Sequence, residues 1–123
     1  MMNDLNRLLE IARYKSTINQ KDNWSNRSDI YLVEIKKEVD EVAEELPKNR
    51  RCYLEDELAD VLWDYSNLLL ALEEEVGIDP QSVIARACNK YQERVAALES
   101  GEGWKAVKER QQAKLALELA QES

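Results

Sequence analysis

Histidine is absent from the 123-residue chain. That removes every mechanism needing an imidazole: triads with a His base, His-ligated zinc and the Glu-x-x-His di-iron bundle. Glycine is nearly absent, with only Gly77, Gly101 and Gly103. Neither a P-loop nor a dinucleotide fingerprint can be built from them, so any bound phosphate must be held by metal and side chains. Cysteine is scarce. Cys52 and Cys88 fit no metal or redox spacing and read as free thiols of a reducing compartment. No apolar run is long enough to span a bilayer, and "MMNDLNRLLE" lacks the apolar core of a signal peptide, so the expected location is cytoplasmic. Bases are outnumbered, 17 Lys and Arg against 25 Asp and Glu, for a net charge of -8 with the signs interleaved. Such a surface repels nucleic acid and anionic membranes, and neither is expected as a partner. It suits a cation, or an anion bridged by a cation.

What is present is helical periodicity, in a chain of the length of one domain, 1–123. A first helix is expected from about Asn3 to Ile18, with Leu5, Leu8, Leu9 and Ala12 on one face. After the polar stretch "NQKDNWSNRSD", Ser28 or Asp29 is the expected N-cap of a second helix carrying Leu32, Ile35, Val39, Val42 and Leu46. Pro47 ends it, and "PKNR" is a short turn. The third helix carries Leu54, Leu58, Val61, Tyr65, Leu68 and Leu72, with Gly77 as its stop. Asp79-Pro80 opens a fourth, with Ile84, Ala87, Tyr91, Val95 and Leu98 on its apolar row. "SGEG" breaks it, and "WKAVKERQQAKLALELA" is a fifth, less regular helix. The expected fold is all-α. Its centre is an antiparallel helical hairpin that forms a four-helix bundle on dimerisation.

Two stretches combine core residues with acids: "KEVDEVAEEL" from Lys37 and "EDELADVLWD" from Glu55. The short turn forces the second and third helices antiparallel. With the midpoint near Asn49, Glu41 lies level with Glu57, and Glu38 with Asp60. Each acid precedes a core residue by one position, or about 100° of helix rotation. In an antiparallel pair that offset turns all of them toward the same flank. Like charges about 4 Å apart repel by about 4 kcal/mol at an effective dielectric near 20, and a hard divalent cation reverses the sign. An isolated Glu-x-x-Glu is ordinary on a helix, and Glu34, Glu44 and Glu45 make some such pair unsurprising. The second pair, in register across the turn, is the informative one. Geometry alone leaves a metal site and a solvated acidic face both open.

The paired motif resembles the Glu-x-x-Glu … Glu-x-x-Asp signature of the MazG-like nucleotide pyrophosphohydrolases, in the all-α NTP pyrophosphatase superfamily. "ELADVLW" is its sharpest part, with Ala59 where MazG usually has Gly. Weaker similarity extends through "NKYQERVAALESGEGWKAVKER", so about two-thirds of the chain is covered. The resemblance implies Mg²⁺, with Mn²⁺ able to substitute, held by Glu38, Glu41, Glu57 and Asp60 as metal ligands and catalytic groups. It implies cleavage of nucleoside triphosphates to monophosphate and pyrophosphate, in a house-cleaning role against unwanted dNTPs. It further implies phosphate contacts from Lys90 and Arg94, substrate contacts from Trp104 and Lys108, and base stacking on Trp24. The stretch from Arg94 to Trp104 is shorter than in MazG. Arg86 reads as a solvated base and Trp63 as packing. Asp64 is either a support for the metal shell or solvated.

Two alternatives carry the same residues. Phosphoribosyl-ATP pyrophosphatase shares the acid motif and an Ala-Asp like Ala59-Asp60, and a non-enzymatic helical interaction module would need no metal. Finally, Leu62, Leu69, Leu70 and Ala71 make the far half of the third helix apolar nearly all round. That predicts association through this patch, as a homodimer or dimer of dimers, which the resemblance also implies.

Overall fold

The computed structural model describes residues 3–18 and 27–122. Among these residues the secondary structure is entirely helical: α1 (Asp4–Ile18), α2 (Ser28–Glu45), α3 (Arg51–Val76), α4 (Pro80–Glu99) and α5 (Trp104–Gln121), with a 3-10 turn at Leu46–Lys48. The chain divides into two compact units, residues 1–80 and 81–123.

In the first unit α2 and α3 form the expected antiparallel hairpin, and α1 lies against α3. The turn is made by the 3-10 segment with Pro47 at its start and by Asn49, whose φ of 57° is left-handed. Asparagine tolerates that region better than most residues. Arg50 closes the turn by a forked pair of hydrogen bonds, 2.7 and 3.0 Å, to the buried carboxylate of Glu45. This pair holds the Glu45 carboxyl below its ordinary value. At the far end, Gly77 takes φ 76°, and the Ile78 amide donates back to the Leu72 carbonyl at 3.3 Å, so α3 stops at the expected residue.

The N-cap of α2 differs from expectation. Arg27 occupies that position without a side-chain cap. The Ser28 amide and hydroxyl instead donate to Glu75 at 2.8 and 2.5 Å. The antiparallel hairpin brings the end of α3 level with the start of α2. Glu75 therefore puts its charge at the positive end of that helix. A cap supplied from 47 residues away leaves no local sequence signal.

Tyr31, Leu68 and Ala71 form a buried cluster with Ile35 and Leu72 packed on it. Of the expected α1 face, Leu9 and Ala12 are buried and Leu8 is half-buried, whereas Leu5 is exposed. Of the residues expected to form an exposed apolar patch, only Leu62 is exposed, at 52%. Leu69, Leu70 and Ala71 are only 5, 8 and 4% exposed. Leu70 and Ala71 line a small cleft with Arg13 and Ser16, so α1 lies over that side of α3, tied by Arg13 to Glu73 at 2.7 Å. Leu32, Val39, Leu46, Leu58 and Tyr65, expected in the core rows of the hairpin, are also exposed, as are Val33, Tyr53 and Val76.

In the second unit α4 and α5 run antiparallel. Arg86 meets Glu118, and Arg94 meets Gln111. The buried residues are Arg94, Ala97 and Val107. Tyr91, Val95 and Leu98, expected as the α4 core row, are exposed, because α4 turns the Arg94 face toward α5. No described helix is long and apolar enough to cross a membrane.

Candidate metal centre

Glu38 and Glu41 stand one turn apart on α2, and Glu57 stands on α3 across the hairpin. One carboxylate oxygen from each of the three lies within 4.8 Å of the others. Asp60 lies beside them, close enough for its charge to act on both Glu38 and Glu57. Its oxygen is not one of the grouped three. The register across Asn49 therefore brings together three of the four expected ligands and sets the fourth alongside.

The electrostatics of the cluster are those of a site short of positive charge. Among the described residues, no Lys or Arg forms an ion pair with any of the four acids. The Oε2 atoms of Glu38 and Glu57 are out of reach of solvent and lack a hydrogen-bond partner. The Glu38 carboxyl is pushed up to about 7, first by burial, then by the hydrogen bond its protonated form makes to Glu41, then by the charges of Glu41, Asp60 and Asp64. Glu57 is raised for the same reasons, with burial first and Glu41 next. Orphaned acceptors under mutual repulsion fit a hard divalent ion. Mg²⁺ binds oxygen at about 2.1 Å and draws such groups together. A Zn²⁺ site would ordinarily carry nitrogen or sulfur, which this cluster lacks.

Asp64 stands one turn beyond Asp60 and is not solvated. It is 9% exposed, and its Oδ2 has no partner. Burial raises its carboxyl most, followed by the charges of Glu34, Asp60 and Glu41, while Lys15 acts in the opposite direction. The acid ladder thus runs one level further than the paired motif. Lys15 is a neighbour that the sequence reading missed. Its Nζ donates to the Tyr31 hydroxyl at 2.6 Å and lies 5.9 Å from the Trp63 ring centroid. The available signal was position: Lys15 continues the row of Leu8 and Ala12 on the inward face of α1. Trp63 is half-buried, in keeping with a packing role.

The remaining expected site residues belong to the second unit. Arg94 is 7% exposed, with its guanidinium carbon 5.2 Å from the Tyr91 ring and 5.1 Å from the Trp104 ring. Lys90 lies 5.6 Å from the Tyr91 ring. Neither cation forms an ion pair with a carboxylate among the described residues. Glu93, their nearest candidate in sequence, bonds to Gln111 and lies 3.8 Å from Arg110. Arg86 pairs with Glu118 at 2.9 Å, as a solvated base should. Lys108 is exposed on α5. Trp24 lies outside the described residues. Gln111, which bonds to Arg94, was not a sequence candidate, since an isolated Gln on a polar helix carries no signal.

The family model for the MazG nucleotide pyrophosphohydrolase domain matches residues 27–98, more than half of the chain. No curated protein and no solved structure matches it. The matched span contains both acid pairs, Lys90 and Arg94, and stops short of Trp104 and Lys108. Hydrolases of this family are generally metal-dependent, in keeping with the acidic cluster. An all-helical fold, a carboxylate cluster at the register set by the hairpin turn, and a match spanning both agree: the chain belongs to the MazG nucleotide pyrophosphohydrolase family.

Proposed function

We propose that this protein is a Mg²⁺-dependent nucleoside triphosphate pyrophosphohydrolase that converts (d)NTP to (d)NMP and pyrophosphate. The observation that carries the reading is the group of three carboxylates within 4.8 Å of one another, two with orphaned buried oxygens. Glu38, Glu41 and Glu57 hold the ion, and Asp60 completes the set. When bound, the ion supplies neutralisation of the triphosphate charge and a more acidic water. One carboxylate of the four accepts the proton of the attacking water. The water oxygen bonds to the α-phosphorus, the α–β bridging P–O bond breaks, and pyrophosphate leaves. Lys90 and Arg94 donate to phosphate oxygens, which need charged donors beyond the metal. Trp24 stacks on the base, and Trp104 and Lys108 contribute at the nucleotide. The Arg94–Trp104 ring contact favours a Trp104 role through that arginine.

The family match runs across both units, which supports treating 1–123 as one functional domain. We place the protein in the cytoplasm, in a house-cleaning role against unwanted dNTPs, with two exposed free thiols in keeping with a reducing compartment. Leu32, Val39, Leu58 and Leu62 are all exposed on the hairpin, which supports closure as a homodimer, or a pair of dimers, with a four-helix core. Sedimentation at micromolar concentration should give at least about twice the 14.3 kDa chain mass. Leu62→Glu should reduce it, and a folded wild-type monomer would contradict closure.

The activity is tested with a panel of nucleoside triphosphates, with and without Mg²⁺, detecting pyrophosphate. Mg²⁺-dependent pyrophosphate release is expected. Orthophosphate release, or no turnover of any member, would overturn the reading.

A further inference from the structure

Of the eight arginines, six, Arg7, Arg13, Arg27, Arg50, Arg86 and Arg110, lie within 4 Å of a carboxylate among the described residues, and the exposed Arg51 does not. Arg94 is nine-tenths buried, yet it is held by an amide. Its Nε donates to Gln111 Oε1 at 2.8 Å. The Gln111 amide nitrogen donates in turn to the Lys90 carbonyl at 2.9 Å and to Glu93 Oε1 at 2.7 Å. Every hydrogen of that amide is used, so its orientation is fixed from two sides. The Tyr91 and Trp104 rings bound the guanidinium carbon at 5.2 and 5.1 Å. Among the described residues the two terminal nitrogens of Arg94 have no partner.

A chain with 25 acids could easily have supplied a carboxylate at this position. A carboxylate would orient Arg94 and also cancel its charge. The amide orients it and leaves the charge in place. The terminal nitrogens of Arg94 are not among the solvent-excluded atoms without a partner, so they stay open to an anion from outside while the rest of the side chain is buried. Glu93, the acid nearest in sequence, is drawn off by Gln111 and lies 3.8 Å from Arg110.

We infer that Gln111 is a positioning residue: it aims the Arg94 fork at the oxygens of a polyphosphate while keeping its positive charge uncompensated. This rests on the reading of Arg94 as a phosphate donor. Gln111 touches no phosphate itself and acts only through Arg94. Tyr91 and Trp104 restrict the same guanidinium by ring contact.

The test uses the full chain and inorganic tripolyphosphate without metal, followed by calorimetry, with far-UV circular dichroism as the check on folding. Arg94→Ala should weaken binding about tenfold or more, the scale of a lost charged donor. Gln111→Ala should weaken it several-fold. Gln111→Glu should weaken it at least as much as Gln111→Ala, because it adds the cancelling charge while keeping an acceptor for Nε. Gln111→Ala placed on Arg94→Ala should cost nothing further. In turnover, both Gln111 variants should raise KM for the triphosphate with kcat nearly unchanged. If Arg94→Ala weakens binding and both Gln111 variants bind as wild type, the positioning role is wrong and the phosphate role of Arg94 stands. If Gln111→Ala adds a full loss on top of Arg94→Ala, Gln111 does not act through Arg94. If Arg94→Ala binds tripolyphosphate as wild type, both the inference and its premise fall.

Discussion

The two hairpins of this molecule handle charge in opposite ways. On α2–α3, Glu38, Glu41 and Glu57 are crowded together with no base beside them, and two of their oxygens are buried without partners. On α4–α5, Arg86 meets Glu118, Arg110 meets Glu102, and Gln111 satisfies Glu93. There Arg94 is buried without a carboxylate partner, and Lys90 beside it forms no ion pair among the described residues. The first hairpin crowds acids without a base, and the second buries an arginine without an acid. Local neutrality is the ordinary outcome for side chains on helices. Departures of opposite sign therefore mark where external ligands of opposite charge are expected, a divalent ion for the first hairpin and phosphate oxygens for the second.

The sharpest way to break the comparison is to remove one acid. Glu41→Gln should lower pyrophosphate release by about 100-fold or more, beyond the cost of losing a mere support to a metal ligand. The same variant should melt no lower than wild type in EDTA, because it relieves repulsion. A variant that is both inactive and markedly less stable without metal would mean that Glu41 is structural.

The second hairpin should respond more mildly. Arg94→Ala should weaken triphosphate binding by about tenfold and monophosphate binding by less, since the missing donor serves the outer phosphates. Equal losses for both ligands would return Arg94 to a purely structural role. Arg86→Ala, its paired neighbour, should leave binding within experimental error, as expected of an exposed ion pair.

The smallest effect is on stability against pH. The folded Glu38 carboxyl lies near 7, above its ordinary 4.5, with Glu57 and Asp64 shifted the same way. Between those values the folded chain holds a proton that the unfolded chain has released. Stability gained by that proton is fully present below pH 4.5 and is lost as pH rises through about 7. Urea unfolding in EDTA should therefore show falling stability from pH 5 to 8, and Glu38→Gln should flatten the slope. A slope that rises across this range would contradict the crowding.

Much of this was legible in the sequence, for identifiable reasons. Pro47, Gly77 and Pro80 punctuate the helices by backbone chemistry that any neighbourhood obeys, and the ends of α2, α3 and α4 fall there. The acid register followed from a short turn and helical geometry alone. What was not legible depends on contacts distant in sequence. Glu75 caps α2, Lys15 reaches Tyr31, and Gln111 holds Arg94 across the α4–α5 turn. None leaves a periodic trace. The apolar run at Leu69 and Leu70 pointed to an exposed patch because periodicity reports how apolar a helix face is, not which element covers it. Here α1 lies over that side, so of the expected patch only Leu62 stays exposed, while Leu58, expected in the core row, is exposed as well.

The central claim is that Glu38, Glu41 and Glu57 form a divalent-cation site. Its most direct test is calorimetric titration of Mg²⁺ at pH 6.5 in two buffers of different ionisation enthalpy. At that pH Glu38 still holds its proton for much of the time, so binding should be saturable and should release protons into the buffer. Glu41→Gln should abolish both signals. Saturable binding that releases no protons, or that survives Glu41→Gln unchanged, would place the ion elsewhere and contradict the account.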